Sequence, residues 1–180
     1  AFGAAHPEFR LEWREYPNDQ VKKKLLDSEI EYGFMIGDWS EDAIRARKIT
    51  GCRICLLVYE GHPLYGQSRV KLSQLDGERL LLMNEAFRLY HDFTSLCAVR
   101  GVNPAVVAKT ADGAGLYRLC SQKVGLAVAP EFFQEEFKME GVRALPFEEE
   151  LRWDVYGVSK RETSGYENIR MFDQYLRDHL

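Results

Sequence analysis

The stretch "EGHPLYGQSRV" comes close, in residue type and spacing, to a phosphate-binding loop. Gly61 and Gly66 stand at the two glycine positions and Ser68 at the hydroxyl position, but Gln67 replaces the lysine that would reach the phosphates. Such a loop also needs a helix starting at its serine, because the free N–H groups of the helix end supply much of the anion binding. The following "RVKLSQLDGE" is not an amphipathic helix, so the glycines mark a turn and not a nucleotide site. "DGAGLYR" offers Gly113 and Gly115, half of a dinucleotide fingerprint, but Arg118 holds the third glycine position. Cys52 and Cys55 form a Cys-x-x-Cys with no second pair to complete a zinc site. His6, His62, His91 and His179 are far apart, and no spacing of a hydrolase or metalloprotease occurs. The acidic run 148–150 reads as a solvated turn. No catalytic residue, metal site or cofactor is expected.

What remains is binding chemistry without a catalytic group. Trp39 and Ser40 follow the apolar run "YGFMI" in a polar loop, at the strand end where open α/β sheets hold ligands. "MNEAFRLYHD" occupies the equivalent place after "RLLL", offering Asn84, Glu85 and Arg88 for polar contacts and Phe87 for an apolar one. Thr110 and Asp112 sit at a third strand-to-helix turn. A helix start there points N–H groups at whatever lies above the sheet. Aromatic walls with a few directed polar groups define a small-molecule site. Arg88 suggests an organic acid, held by its carboxylate.

The elements that position these residues follow from periodicity. "FRLEWREY" alternates apolar and charged residues and predicts a half-exposed strand. "NDQVKKKLLDSEI" carries Val21, Leu25 and Leu26 at helical spacing. "YGFMIG", "AIRARKIT", "CRICLLVYE", "RLLLM", "AVVAKT", "VGLAVAP", "GVRALPF" and "ELRWDVYGVS" read as strands. Helices are expected from Phe87 to Arg100 with Gly101 as C-cap, over "DGAGLYRLCSQK", briefly around Phe132 and Phe133, and over "YENIRMFDQYLRDHL" with Tyr166, Ile169, Phe172 and Leu176 inward. Alternating strands and helices mean an α/β fold with mainly parallel sheets. Two long strands bracket a self-contained run, so the chain leaves one lobe, builds another and returns. The expected division is 1–54 with 152–180, and 55–151.

The 180 residues are 46% hydrophobic and 29% charged, which supports a globular core. A net charge of -4 argues against nucleic-acid binding by this chain itself. No apolar run approaches the roughly 20 residues of a membrane span. The scattered cysteines fit reduced core thiols in the cytoplasm.

The sequence resembles the effector-binding domain of LysR-type transcriptional regulators. The resemblance rests on "PNDQVKKKLLDSEIEYGFMIG", "LLVYEGHPLYGQSRVKLSQLDGERLLL", the spacing from Cys97 through "RGVNP", and "VGLAVAPEFF", and it runs through nearly the whole chain. It implies two Rossmann-like lobes of the type 2 periplasmic-binding-protein kind, joined by two crossing strands. It also implies a small effector between the lobes, assembly as a homodimer or homotetramer, and DNA binding through an N-terminal winged helix-turn-helix. That reader, and the Leu-x-Ile-Gly strand and helix that normally open the domain, have no counterpart in these residues. The peroxide-sensing branch of the family has two cysteines in the segment matching 88 to 97. Arg88 stands at one of those positions beside Cys97, which speaks against a disulfide switch there. A solute-binding protein, or a small enzyme of the same fold, is the alternative reading.

Overall fold

The computed structural model of the chain describes residues 2–37, 41–137 and 140–180. They form two compact units, Ala1–Gly51 with Asp154–Leu180, and Cys52–Trp153. The chain leaves the first unit inside one long strand and returns near the start of another.

In the first unit, α1 (Phe2–Ala5) and α2 (Asn18–Leu26) precede β1 (Gly33–Ile36). The long strand β2 (Ile44–Tyr59) begins here, and β7 (Arg152–Lys160) and α6 (Glu167–His179) close the chain. β7 lies between β1 and β2, with β1 antiparallel to it in the register Gly33↔Val158. Residues alternate across a strand, so the two faces of this small sheet carry different layers. On one face Met35, Ile44 and Val158 meet Val21 and Leu25 of α2 in a buried apolar cluster. On the other face an aromatic layer forms, in which the Phe172 ring of α6 meets Tyr32 and Phe2 edge-on, at 5.1 and 5.0 Å between centroids.

That second layer has a polar centre. The Tyr32 hydroxyl donates to Asp173 Oδ1 at 2.9 Å, while Arg47 Nη2 lies 3.0 Å from the same oxygen and donates to the Asp173 carbonyl at 2.9 Å. Gly157 of β7 makes this possible, since any Cβ there would run into the Tyr32 ring. Burial and the Asp173 carboxylate both raise the Tyr32 phenol above its ordinary value, so it stays protonated and donates.

The second unit is built on the other half of β2, whose residues 54–58 are all buried. β5 (Leu126–Pro130) and β6 (Val142–Pro146) pair antiparallel with it. β3 (Arg79–Met83) joins β5 in parallel, and β4 (Ala105–Thr110) joins β3 in parallel as the edge strand. The strand order is thus β6-β2-β5-β3-β4. Helices α3 (Arg88–Arg100), α4 (Gly113–Ser121) and α5 (Phe132–Phe137) connect these strands. The "RLLLM" and "LAVAP" runs are buried almost throughout, on both alternating sides, as expected of strands covered on both faces. α3 ends at Gly101 in the left-handed conformation, φ 65°.

Several expectations are corrected. The sheets are mixed: among the described strands β3 pairs in parallel with β4 and β5, while β1 with β7 and β2 with β5 and β6 are antiparallel. "AIRARKIT" and "CRICLLVYE" are a single strand. Residues 9–16 form no strand: Arg10 and Arg14 both reach Glu12 two residues away, and their backbone has no ladder partner among the described residues. Alternation fixes which way side chains point, and a strand also needs a neighbour for its N–H and C=O groups. Leu11 and Trp13 are accordingly 53% and 70% exposed, with Trp13 resting on Phe34 at 5.7 Å. Tyr166 is the exposed N-cap position of α6 and does not point inward. In the acidic run, both carboxylate oxygens of Glu149 accept the Leu72 N–H at 3.1 Å, capping a short 3-10 turn. Among the described residues no helix is long and apolar enough to cross a membrane.

The Gly157 notch gives a test. Gly157→Ala should destabilise the protein by about 1–3 kcal/mol in urea unfolding, the usual cost of overpacking. Gly66→Ala, with open space around that position, should stay within about 0.5 kcal/mol of the parent.

Candidate functional site

Because β3, β4 and β5 are parallel, their C-terminal ends share one edge of the second unit, where strand-to-helix turns place residues 84–88, 110–113 and 130–133. Three of the expected site residues are woven into one hydrogen-bonded turn system. The Asn84 N–H donates to the Thr110 carbonyl at 2.9 Å, joining the turns after β3 and β4. The Asn84 side chain accepts from the Ala86 N–H at 3.1 Å, and Thr110 Oγ1 accepts from the Asp112 N–H at 3.0 Å. His91 Nε2 donates to the Glu85 carbonyl at 2.7 Å, which fixes that ring's tautomer and clamps the loop from below. Both turns are therefore held rigid by their own polar groups.

The two helix starts at this edge differ. Asp112 is the N-cap of α4, its Oδ1 accepting from the Ala114 N–H at 3.0 Å. That end already has its carboxylate, so the helix start expected there to point free N–H groups at a ligand is capped by its own side chain. α3 begins at Arg88 after Phe87 with no side-chain cap, which leaves its positive end open. Gly115 accommodates the capping Asp112 side chain, and Gly113 accommodates the Phe133 ring laid over the first turn of α4. This packing accounts for the half fingerprint "DGAG".

Cations at this edge are paired. Arg88 Nε donates to Asp92 Oδ2 at 3.1 Å along the helix, while its two Nη groups have no partner among the described residues. Lys109 binds Glu85, its ammonium also over the Tyr90 ring at 4.9 Å, and holds the Glu85 carboxyl below the usual carboxylate range. Arg53 makes a two-point contact with Glu131, at 2.7 and 3.3 Å, and its carbonyl accepts the Glu131 N–H at 2.9 Å. Arg53, Glu131 and Phe133 belong to this edge and were not among the expected residues. The first two are 78 apart in sequence and meet only because Ile54 pairs with Pro130. Phe133 had one signal, its place directly after the end of a buried strand. Trp39 and Ser40 lie outside the described residues. Among those described, no cluster of His, Cys, Asp and Glu could hold a metal ion.

A two-unit α/β protein crossed twice by its chain, with ligand-type turns at the parallel strand ends and no metal cluster among the described residues, has the architecture of a periplasmic-binding-protein-like sensor domain. The family comparison is specific. The model of the LysR substrate binding domain matches residues 1–180, and the chain belongs to that family. Solved structures agree on the fold. HinK, a LysR family transcriptional regulator from Pseudomonas aeruginosa, superimposes with a TM-score of 0.83 at 18% identity, over 99% of this chain and 63% of that one. The regulatory domain of CcmR from Synechocystis PCC6803, in complex with 2-PG, gives 0.86 at 13% identity over 98% and 86%. The BenM effector binding domain with its effector benzoate gives 0.77 at 20% identity over 97% and 83%. The chain spans less than two thirds of HinK and of a second P. aeruginosa regulator, at 63% and 62%. No curated protein matches it at the level of sequence. The chain is an effector-binding domain of the LysR type, and the solute-binding and enzyme alternatives are not favoured.

The cysteines are free thiols, and Cys55, Cys97 and Cys120 are buried. Burial pushes Cys55 and Cys120 up to about 12 and Cys97 up to about 11, from an ordinary value of 9.0. Cys120 also donates to the Leu57 carbonyl at 3.3 Å. Such thiols are poor nucleophiles. The folded values lie above the unfolded one, so the unfolded chain loses these protons first as pH rises. Stability should hold below pH 9 and fall progressively between about 9 and 12. Urea midpoints across that range, compared with a variant carrying Ala at Cys55, Cys97 and Cys120, should show a shallower alkaline loss in the variant.

Proposed function

We propose that this chain senses a small organic effector for a LysR-type transcriptional regulator, and that a carboxylate of the effector is held at Arg88. The observation that carries this reading is the start of α3, where an uncapped helix end and the two open Nη groups of Arg88 stand together. A guanidinium fork and a helix N-terminus both favour a carboxylate. Phe87 and Phe133 supply apolar surface beside it, which suits an aromatic or branched acid. Two acidic residues that would oppose an anion have work elsewhere, since Glu85 is neutralised by Lys109 and Asp112 closes α4. Benzoate, the effector of the BenM domain, is an aromatic carboxylate. An amino acid-like effector is the second choice, its ammonium meeting Asp92 or Glu131.

Binding, and not turnover, is the proposed action, because no nucleophile stands beside a base at this edge among the described residues. The effector acts by favouring one conformation of the full-length regulator over another, in proportion to its difference in affinity for them. DNA contact is assigned to another part of that regulator, since a net charge of -4 offers little phosphate neutralisation. The cytoplasm is the proposed place of work. Assembly as a homodimer or homotetramer is supported by exposed apolar groups on the second unit. Val99 of α3 is 82% exposed, and Val106 and Val107 lie exposed on the edge strand β4. The apolar residues of α2, Val21 and Leu25, are buried in their own unit and do not contribute a stripe.

Three measurements test this reading. A thermal-shift screen of small organic acids should yield a stabilising ligand, and calorimetry on the full-length regulator should show Arg88→Ala weakening it by about ten- to a hundred-fold, the worth of a charge-assisted contact. Unchanged affinity would remove Arg88 from the site. Light scattering should show a dimer or larger species, and Val99→Lys with Val106→Lys should shift it toward monomer. A monomeric parent protein at high concentration would sink the assembly proposal.

A further inference from the structure

We propose that the first unit carries a second anion site, a groove along α6 that takes a small organic molecule with two or more carboxylate or phosphate groups. The groove has a volume of about 740 Å³, within the range of small-molecule sites, roughly 300–1,000 Å³. Arg45 of β2 and Arg170 and Arg177 of α6 stand on its rim. Their side chains make no hydrogen bond or ion pair among the described residues. At the edge of the second unit, by contrast, Arg53, Arg88 and Lys109 all have carboxylate partners.

The groove also has acidic residues, and each has a role of its own. Asp173 is engaged from below by Tyr32 and Arg47. Asp178 Oδ1 accepts from Gln174 Nε2 at 2.8 Å. Glu167 lies in the first turn of α6, where the helix end favours a carboxylate. Among the described residues only Asp173 is held by an internal cation, so Arg45, Arg170 and Arg177 face two open carboxylates, Glu167 and Asp178, and outnumber them. Arg45, Ser164 and Asp173 line both the groove and a recess of about 10 Å³ beside it. Arg47 lines the recess, and its Nε is buried with no acceptor. An unpaired donor of this kind is costly in a folded protein, and a single water in the recess, bonded in turn to an anion above, would satisfy it.

Spacing selects the ligand. Arg170 and Arg177 are seven residues apart on one helix face, so their Cα atoms lie about 10 Å from each other. An anion with one acid group engages a single guanidinium there, whereas a molecule with several acid groups engages two or three. Met171 and Tyr175 give the groove apolar wall for an organic skeleton. The inference does not depend on the site proposed at Arg88, which lies on the other unit.

The test uses the whole chain at low ionic strength, with citrate and pyrophosphate as calorimetric probes. At least one should bind saturably and weaken as salt is added. Arg170→Gln with Arg177→Gln should reduce its affinity by about tenfold or more, and Arg45→Gln alone by several-fold. Arg88→Ala and Arg100→Gln should leave it unchanged. Arg45, Arg100, Arg170 and Arg177 are exposed and make no side-chain hydrogen bond or ion pair among the described residues, and an unchanged melting temperature will show that the variants fold. A preference for citrate or for pyrophosphate identifies the acid group. No saturable binding of either probe up to about 10 mM, or a loss in Arg88→Ala as large as in the double variant, would overturn the proposal.

Discussion

The second unit depends on the antiparallel pairing between the latter half of β2 and β5. Residues 54–58 of β2 are fully buried and bonded on both sides, to β5 and to β6. This makes β2 the centre of the unit's core and sets where every other strand can lie. β5 runs against it, β3 and β4 follow β5 in parallel, and the three parallel strands therefore end together. The ends of parallel strands collect helix starts, and helix starts collect polar ligand groups. The same pairing brings Arg53 opposite Glu131, so one edge of the candidate site is fixed by the register of the core itself. A slip of one residue in β2 would turn Ile54, Leu56 and Val58 to the wrong face and part the Arg53 and Glu131 side chains together.

Much of this was legible in the sequence, for reasons that particular residues make plain. "RLLLM" and "LAVAP" are too short for helices and too apolar for surface strands, so only a buried parallel strand fits them. Gly101 ends α3 because the chain there needs a left-handed residue, and glycine adopts it without strain. Asn84, Thr110 and Asp112 could be placed near one another from strand-turn-helix order alone. What they do there could not be read. Asp112 and Asn84 have the chemistry of ligand contacts, yet their oxygens cap and close the turns that carry them. A short polar side chain at a turn serves the local backbone first.

The illegible features share one cause, dependence on a partner distant in sequence. Nothing local to residues 9–16 says that their alternating pattern finds no ladder in this fold. Glu149 reads as a solvated carboxylate until the 3-10 turn 77 residues earlier comes beneath it. Gly157 reads as a weak point in a strand, whereas it is the space into which Tyr32 fits on its way to Asp173. That contact in turn decides the electrostatics of α6. With Asp173 drawn inward by Tyr32 and Arg47, the outer face of the helix loses the carboxylate best placed to neutralise Arg170, three residues before it.

The two units therefore present charge in opposite ways. At the edge of the second unit each cation has an internal partner, and a carboxylate ligand must use the open Nη groups of Arg88 alongside Asp92. Exposed ion pairs of this sort contribute little to stability, about 0–1 kcal/mol each. Their larger effect is on selectivity, because they keep the local field low and let geometry choose the ligand. A simple anion gains little there, while a carboxylate with an apolar body gains from Phe87 and Phe133 as well. Along α6 the arginines have no internal partner among the described residues, and their attraction for an anion is one that salt weakens within a Debye length of about 8–10 Å. If both proposed sites take ligands, one selecting by shape and the other by charge, they would respond differently to ionic strength even though the net charge is only -4.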